Sequence, residues 1–192
     1  MNALPVAAPR TAPRVVTIGA ALLCFACVVL AVFDFFVPTS NDAFTSTADY
    51  LYTLDGLPLM AGLLLIVAGL HSAQDGRDGR LGRIGLLVTA VGTVAVVVCL
   101  LASFVTRSEN SLGPVYVLGT FTTFLGLILF AIASVRAHVL PWWAGPTLTV
   151  AWIVGGPVGD NGPLGFKASG LLLAAVAIAI ATVTPRTVTA GH

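Results

Sequence analysis

Apolar and polar residues follow each other along this chain in long blocks. Six nearly uninterrupted apolar segments lie between Val15 and Val183, and the short pieces between them hold almost every charge. About 20 apolar residues in a helix are enough to cross the ~30 Å hydrocarbon core of a bilayer. We therefore predict an all-α fold, a polytopic membrane helix bundle with six transmembrane helices at 15–37, 54–70, 84–105, 115–136, 142–156 and 167–184.

The pieces outside these segments are short. Three evenly spaced prolines in residues 1–14 oppose a regular helix, so we predict a disordered tail there, one transmembrane domain over 15–184 and a second tail over 185–192. The first apolar segment exceeds the roughly 7–15 residues of a signal-peptide core, which predicts a retained helix. The fifth segment is short and contains Pro146, which predicts a kink.

Composition strengthens the membrane assignment. The chain is 57% hydrophobic and 9% charged, and its mean hydropathy is +0.99. A soluble core of this size cannot hide so much apolar surface, so the lipid bilayer is the predicted main partner. The formal net charge of +1 gives no reason to expect a nucleic-acid partner.

The basic residues predict the orientation. Cytoplasmic loops of membrane proteins are rich in arginine and lysine. Placing the N-terminus inside collects seven arginines there and leaves only Arg107 and Lys167 outside. Both termini are therefore predicted to be cytoplasmic, and the abundance of arginine, alanine and glycine indicates the plasma membrane of a bacterium. The seven are Arg10, Arg14, Arg77, Arg80, Arg83, Arg136 and Arg186.

Glycines on three of the predicted helices indicate how the bundle packs. They occur in pairs seven residues apart, so the members of each pair share one helix face. Small residues at such positions let neighbouring backbones approach closely. The pairs are Gly62 with Gly69, Gly85 with Gly92, and Gly119 with Gly126.

Two aspartates near the predicted outer surface are the main candidates for chemistry. Asp34 precedes the outer end of the first helix, and Asp55 opens the second. Carboxyl groups in a transmembrane segment usually face protein or water, so the pair predicts an outward-facing ligand site, with Arg107 and Lys167 as counter-ions. The alternative is that these carboxylates lie in headgroup water and that Asp55 caps a helix N-terminus.

Other residues carry weaker signals. Cys24 and Cys27 lie a turn apart in mid-membrane, where burial favours a packing role over redox chemistry. His71 is predicted to be an interfacial anchor at the start of a solvated, arginine-rich turn over 71–83. The glycine-rich segment 155–165 either covers an outer vestibule or simply connects two helices. We find no cofactor or metal motif and predict neither.

Two segments carry a resemblance to a known family. Gly79-Arg-Leu-Gly-Arg-Ile-Gly85 and Arg136-Ala-His-Val-Leu-Pro-Trp-Trp-Ala-Gly145 resemble small six-helix integral membrane proteins of actinobacteria. The resemblance covers nearly the whole chain and implies the six-helix topology and a bacterial origin. It brings no activity, ligand or catalytic residue with it.

Three functions remain open on these observations. The first is a transport, sensing or accessory component without enzymatic activity, which binds a small-molecule or lipidic ligand near Asp34 and Asp55. The second is a small membrane-embedded enzyme, for example a cyclase or lyase, which acts on an isoprenoid or other lipidic substrate with one aspartate as general acid. The third is a structural subunit that binds a membrane-protein partner.

Overall fold

The computed structural model describes residues 12–36, 44–108 and 112–155, and the elements in these ranges are five helices. Four of them, α1 to α4, have 25–28 residues and are apolar enough to cross a membrane. At 1.5 Å per residue they are about 37–42 Å long, which exceeds the ~30 Å core. This part of the chain is thus an all-α, multi-pass membrane domain. The helices are α1 (Ala12–Phe36), α2 (Thr47–Ala73), α3 (Gly79–Thr106), α4 (Gly113–Ala137) and α5 (Ala144–Ile153).

The fifth and sixth predicted spans are not confirmed. Helix α5 has ten residues, about 15 Å, and the chain beyond residue 155 lies outside the described part. Pro146 is its third residue, in the first turn, where the missing N–H breaks no intrahelical hydrogen bond. At this position the proline does not force the predicted kink. The predicted sixth helix, 167–184, lies outside the described residues.

Two helices begin earlier than the hydropathy pattern predicts. Helix α1 starts at Ala12, inside the predicted tail, because Pro13 is tolerated in a first turn. Helix α2 starts at Thr47, seven residues before the predicted start, because Ser46 and Asp49 form a capping box. The Ser46 N–H donates to Asp49 Oδ2 at 2.8 Å, and the Asp49 N–H donates to Ser46 Oγ at 3.4 Å.

Helices α1 and α2 form an antiparallel hairpin whose backbones touch at glycines. A Cβ atom added at Gly62 would lie 2.8 Å from the carbonyl oxygen of Gly19 and 2.8 Å from the amide nitrogen of Leu23. A Cβ atom at Gly19 would lie 2.8 Å from the Gly62 carbonyl oxygen. The packing role predicted for Gly62 is confirmed, and Gly19 is its partner on α1.

Helices α3 and α4 form a second hairpin through a shared pattern, Gly-x3-Thr-x2-Gly, at 85–92 and 119–126. In each segment the threonine hydroxyl donates to the carbonyl of the first glycine, at 2.8 Å and 2.9 Å. The threonine of each segment also lies close to the last glycine of the other segment. A Cβ atom added at that glycine would overlap the amide nitrogen of the threonine. The packing role of these glycines is therefore confirmed. The reciprocal pairs are Thr89 with Gly126 and Thr123 with Gly92.

The bundle has two ends, named here by one residue each. The Phe44 end carries the last residues of α1 and α3 and the first of α2 and α4; the Gln74 end carries the opposite helix termini. Five arginines lie exposed at the Gln74 end, while Arg107 lies at the Phe44 end. Large apolar side chains such as Phe25, Val91 and Leu118 are exposed on the outer helix faces, where lipid would cover them. The five arginines are Arg14, Arg77, Arg80, Arg83 and Arg136.

Candidate functional site

Asp55 lies inside the membrane-spanning part of α2. Eight residues, or about 12 Å, separate it from the start of the helix at Thr47. If the ~30 Å core is centred on α2, Asp55 lies about 7 Å below the core surface. The residue is 5% exposed, and its Oδ2 atom is buried without a hydrogen-bond partner among the described residues. The alternative of an N-terminal cap is wrong for Asp55, because α2 begins at Thr47, where Ser46 is the N-cap and Asp49 completes the capping box.

The Asp55 side chain lies on the face of α2 that packs against α1. Asp55 and Gly62 are seven residues apart and share this face, and Gly62 contacts the backbone of α1 at Leu23. Cys27, further along α1, is close enough to Asp55 for an electrostatic interaction. The surrounding helix positions are apolar and largely buried, among them Leu23, Ala26 and Leu59. Asp55 is thus a carboxyl group within an apolar helix interface.

Pro58, one turn after Asp55, removes one hydrogen bond from the backbone of α2. A proline inside a helix has no N–H, so it cannot donate to the carbonyl four residues earlier. The carbonyl in question belongs to Leu54, whose peptide group joins it directly to Asp55. The Leu54 carbonyl thus loses its usual donor within the helix, in a region where such groups need a donor from water, protein or ligand.

Within the described residues, the structure brings none of the other predicted site residues to Asp55. Phe33, next to Asp34, stacks edge-on against Tyr52 with ring centroids 5.9 Å apart, which places the Asp34 backbone nearer the Phe44 end than Asp55 is. The side chain of Asp34 and the whole of Lys167 lie outside the described part. Arg107 is exposed and forms no ion pair with a described carboxylate; its backbone carbonyl accepts the Phe44 N–H at 3.1 Å.

The sequence analysis missed the structural role of Asp49. Its Oδ2 atom accepts from the backbone N–H groups of Thr45 and Ser46 at 2.8 Å each, and from both hydroxyls at 3.2 Å and 3.1 Å. Beside it, the rings of Phe44, Tyr50 and Phe104 pack together with centroids 4.8–6.2 Å apart. The signal in the sequence was Ser-x-x-Asp ahead of an apolar stretch.

A second polar cluster, at the Gln74 end, was not predicted. The segment 71–83 was expected to be a solvated turn, but Gln74 is 0% and Asp78 5% exposed. The Nδ1 atom of His71 lies 2.5 Å from Asp78 Oδ2, so His71 is more than an interfacial anchor. Gln74 Nε2 donates to Ser134 Oγ on α4 at 2.8 Å. We call these four residues the turn cluster; no spacing rule distinguishes them from the exposed residues of the same turn.

The threonines on the helices do not line a continuous polar path. The hydroxyls of Thr89, Thr120 and Thr123 all donate to carbonyls four residues earlier on their own helices, at 2.8–2.9 Å. Thr93 Oγ1 is buried and has no partner among the described atoms. Thr149 Oγ1 on α5 is likewise buried without a partner among the described atoms.

The thiols and the acidic groups do not form a metal centre where the structure can be described. Cys27 and Cys99 are buried, Cys24 is half-buried, and all three are free thiols. In the described ranges, no three His, Cys, Asp or Glu side chains gather in a way that could hold a metal ion. The packing role predicted for Cys27 is confirmed by its position in the apolar core.

Comparisons with known proteins add no assignment. No protein-family profile matches the chain, and no match emerges among the curated proteins or the solved structures compared with it. The resemblance to six-helix proteins of actinobacteria therefore stays a prediction. What the geometry establishes is a multi-pass membrane protein with two buried, acceptor-rich polar groups of residues, one at Asp55 and one at the turn cluster.

Proposed function

We propose that this protein is a transport or sensing component of a bacterial plasma membrane, and that it binds a small ligand at Asp55. The ligand is cationic or rich in hydrogen-bond donors. The observation that carries the proposal is the buried, unpaired Asp55 carboxyl group inside a membrane-spanning helix. The crowding of described arginines at the Gln74 end supports a cytoplasmic position for that end, so we place Asp55 in the outer half of the membrane.

The energetic argument starts from the cost of the carboxyl group. An aspartate at the centre of a transmembrane helix costs about 2.5–3.5 kcal/mol on insertion scales, and less near the interface. A leucine at position 55 would fill the same interface at no such cost. A ligand that donates to the Asp55 carboxyl would offset the cost. The unpartnered Asp55 Oδ2 favours a donor or a positive charge over an anion.

The test is native mass spectrometry of the protein released gently from its own membrane, with wild type and Asp55→Asn measured side by side. Asparagine has nearly the same volume but removes the negative charge. Asp75→Asn is the matched control, because Asp75 is exposed in the turn after α2. We expect a discrete bound molecule on the wild type and on Asp75→Asn, and at least a tenfold lower occupancy on Asp55→Asn.

Two results would contradict the proposal. One is the same retained molecule on all three proteins, which would place the ligand elsewhere. The other is a bare wild type, or one that carries only bulk lipid or a second polypeptide, which would favour a structural subunit of a membrane complex. Circular dichroism of each variant verifies that the helices are intact before the spectra are compared.

A further inference from the structure

Helix α3 turns one face towards α4 and the opposite face outwards. Gly85 and Gly92 lie on the inner face, against the backbone of α4. Arg80 and Arg83 are exposed near the start of the helix, on its outer face. They are three residues apart, so their side chains are neighbours on the helix surface, with about 5–6 Å between the Cβ atoms. The outer face of α3 therefore begins with two adjacent guanidinium groups.

No carboxylate of the described part forms an ion pair with either arginine. Asp78 precedes them in the chain, but it is buried and its Oδ2 atom lies against the His71 ring. Asp75 is exposed in the turn before α3 and is also without an ion pair to a described arginine. The described part of the Gln74 end thus carries five arginines and two carboxylates, one of them buried. Its surface has an excess of positive charge that an anion would neutralise.

Two apolar rows continue from the arginines along the outer face of α3. Four and eleven residues after each arginine, the helix carries an apolar side chain that is 48–65% exposed. Successive members of the two rows are three or four residues apart, so the rows lie side by side, about 5–6 Å from each other. They match the two acyl chains of a phospholipid in number and direction. The four residues are Ile84, Leu87, Val91 and Val94.

The depth of these residues in the membrane fits the same ligand. Helix α3 has 28 residues, or about 42 Å, so a ~30 Å core centred on it begins near Arg83. Arg80 then lies about 4–5 Å outside the hydrocarbon, at the level of the headgroups. Val94 lies about 16 Å from Arg83 along the axis, which is close to the thickness of one leaflet.

The other described helices lack this combination. Helices α1 and α4 each carry one exposed arginine at this end, Arg14 and Arg136, and α2 carries none. A single arginine at a cytoplasmic helix end is what membrane orientation requires. Two adjacent guanidinium groups do more, since each binds a phosphate through two N–H donors and together they hold two of its oxygens.

We propose that the outer face of α3 binds an anionic phospholipid, with the headgroup phosphate between Arg80 and Arg83 and the acyl chains along the two apolar rows. A soluble phosphate would contact the arginines and leave the rows bare. A zwitterionic headgroup would bring its own positive charge beside them. The orientation proposed above puts this lipid in the cytoplasmic leaflet, where anionic lipids attract basic residues. The site is separate from Asp55, which packs against α1.

The test is native mass spectrometry of the purified protein in a neutral detergent, with phosphatidylglycerol and phosphatidylcholine of identical acyl chains at equal concentrations. We expect the wild type to retain phosphatidylglycerol over phosphatidylcholine by at least about fivefold, the factor for one arginine at an anionic surface. The double variant Arg80→Gln/Arg83→Gln should lose this preference. Arg77→Gln/Arg136→Gln removes the same charge at the same end of the bundle and should keep it.

Three further measurements make the result decisive. Asp55→Asn should keep the lipid preference, so that a failure of the Asp55 site and a failure of the α3 site are told apart. Arg80→Lys/Arg83→Lys keeps the charge but loses the planar donors, and should retain phosphatidylglycerol about twofold less; it decides the case if the glutamine variant does not insert. Sodium phosphate in place of sodium chloride, at equal ionic strength, should leave the lipid bound.

Four outcomes would overturn the proposal. Equal retention of both lipids by the wild type would leave the arginines with a role in orientation only. Equal losses in the two glutamine double variants would indicate an unspecific effect of net charge. Unchanged retention in the lysine variant would exclude a phosphate held between the two guanidinium groups. Displacement of the lipid by inorganic phosphate would assign the arginines to a soluble anion.

Discussion

The close contact between α3 and α4 predicts that a single methyl group added at Gly92 destabilises the protein. A Cβ atom at Gly92 would overlap the amide nitrogen of Thr123 and lie 2.7 Å from the carbonyl oxygen of Gly119. Both atoms belong to the backbone of α4, so Gly92→Ala can be accommodated only if the two helices move apart. Overpacking of this kind costs about 1–3 kcal/mol. Alanine regains roughly 0.5–1 kcal/mol of helix propensity. We expect a net loss of about 1–2 kcal/mol in the free energy of unfolding.

Gly56→Ala is the matched control, because Gly56 also lies within a membrane-spanning helix. A Cβ atom there would meet Leu100 Cδ1 at 2.7 Å, but this atom is the far end of a flexible side chain that can rotate away. We expect its stability to stay within about 0.5 kcal/mol of the wild type. Unfolding in mixed micelles with increasing sodium dodecyl sulfate, followed by tryptophan fluorescence, measures both. If Gly92→Ala were no less stable than Gly56→Ala, the backbone contact between α3 and α4 would be refuted.

Two further predictions concern single side chains and use the same unfolding assay. Asp49→Ala removes the acceptor of four hydrogen bonds at the start of α2 and should cost about 2 kcal/mol, with faster amide exchange in that turn. Asp75→Asn, which keeps a residue that tolerates the positive φ at this position, should change neither. Trp152→Phe removes the indole N–H that donates to an α4 carbonyl at 3.3 Å and should cost about 1 kcal/mol. Trp142→Phe, at an exposed position, should cost nothing measurable, and equal losses for the two tryptophans would contradict this assignment.

The predictions that succeeded rest on patterns that act over a single helix. The apolar segments behind α1 to α4 are long enough to satisfy nearly all their backbone hydrogen bonds internally, which lipid requires of any segment that crosses it. The seven-residue spacing of glycines also depends only on helix periodicity, and it identified the faces on which α2, α3 and α4 pack. Helix boundaries were less certain, because Ser46 and Asp49 extend α2 through a hydrogen bond that hydropathy does not detect.

The candidate sites show which features such local patterns do not predict. The sequence marked Asp55 as a polar residue beside an apolar segment, but its depth followed only once α2 was seen to begin at Thr47. Asp78 and Asp75 are both aspartates of one polar turn, three residues apart and with similar neighbours in sequence. Asp78 is buried against His71 and Asp75 is exposed, because only one side of the turn faces the bundle.

The sequence by itself determined that this protein lies in a membrane as helices, and which faces of α2, α3 and α4 pack. These features follow from the sequence because solvent transfer and helix periodicity depend on local composition. The tertiary structure alone decided which polar side chains are buried, which of their atoms lack a partner, and that α3 and α4 meet through reciprocal glycine and threonine contacts. These features depend on the approach of residues far apart in the chain, such as Gln74 and Ser134, and no local pattern specifies that approach.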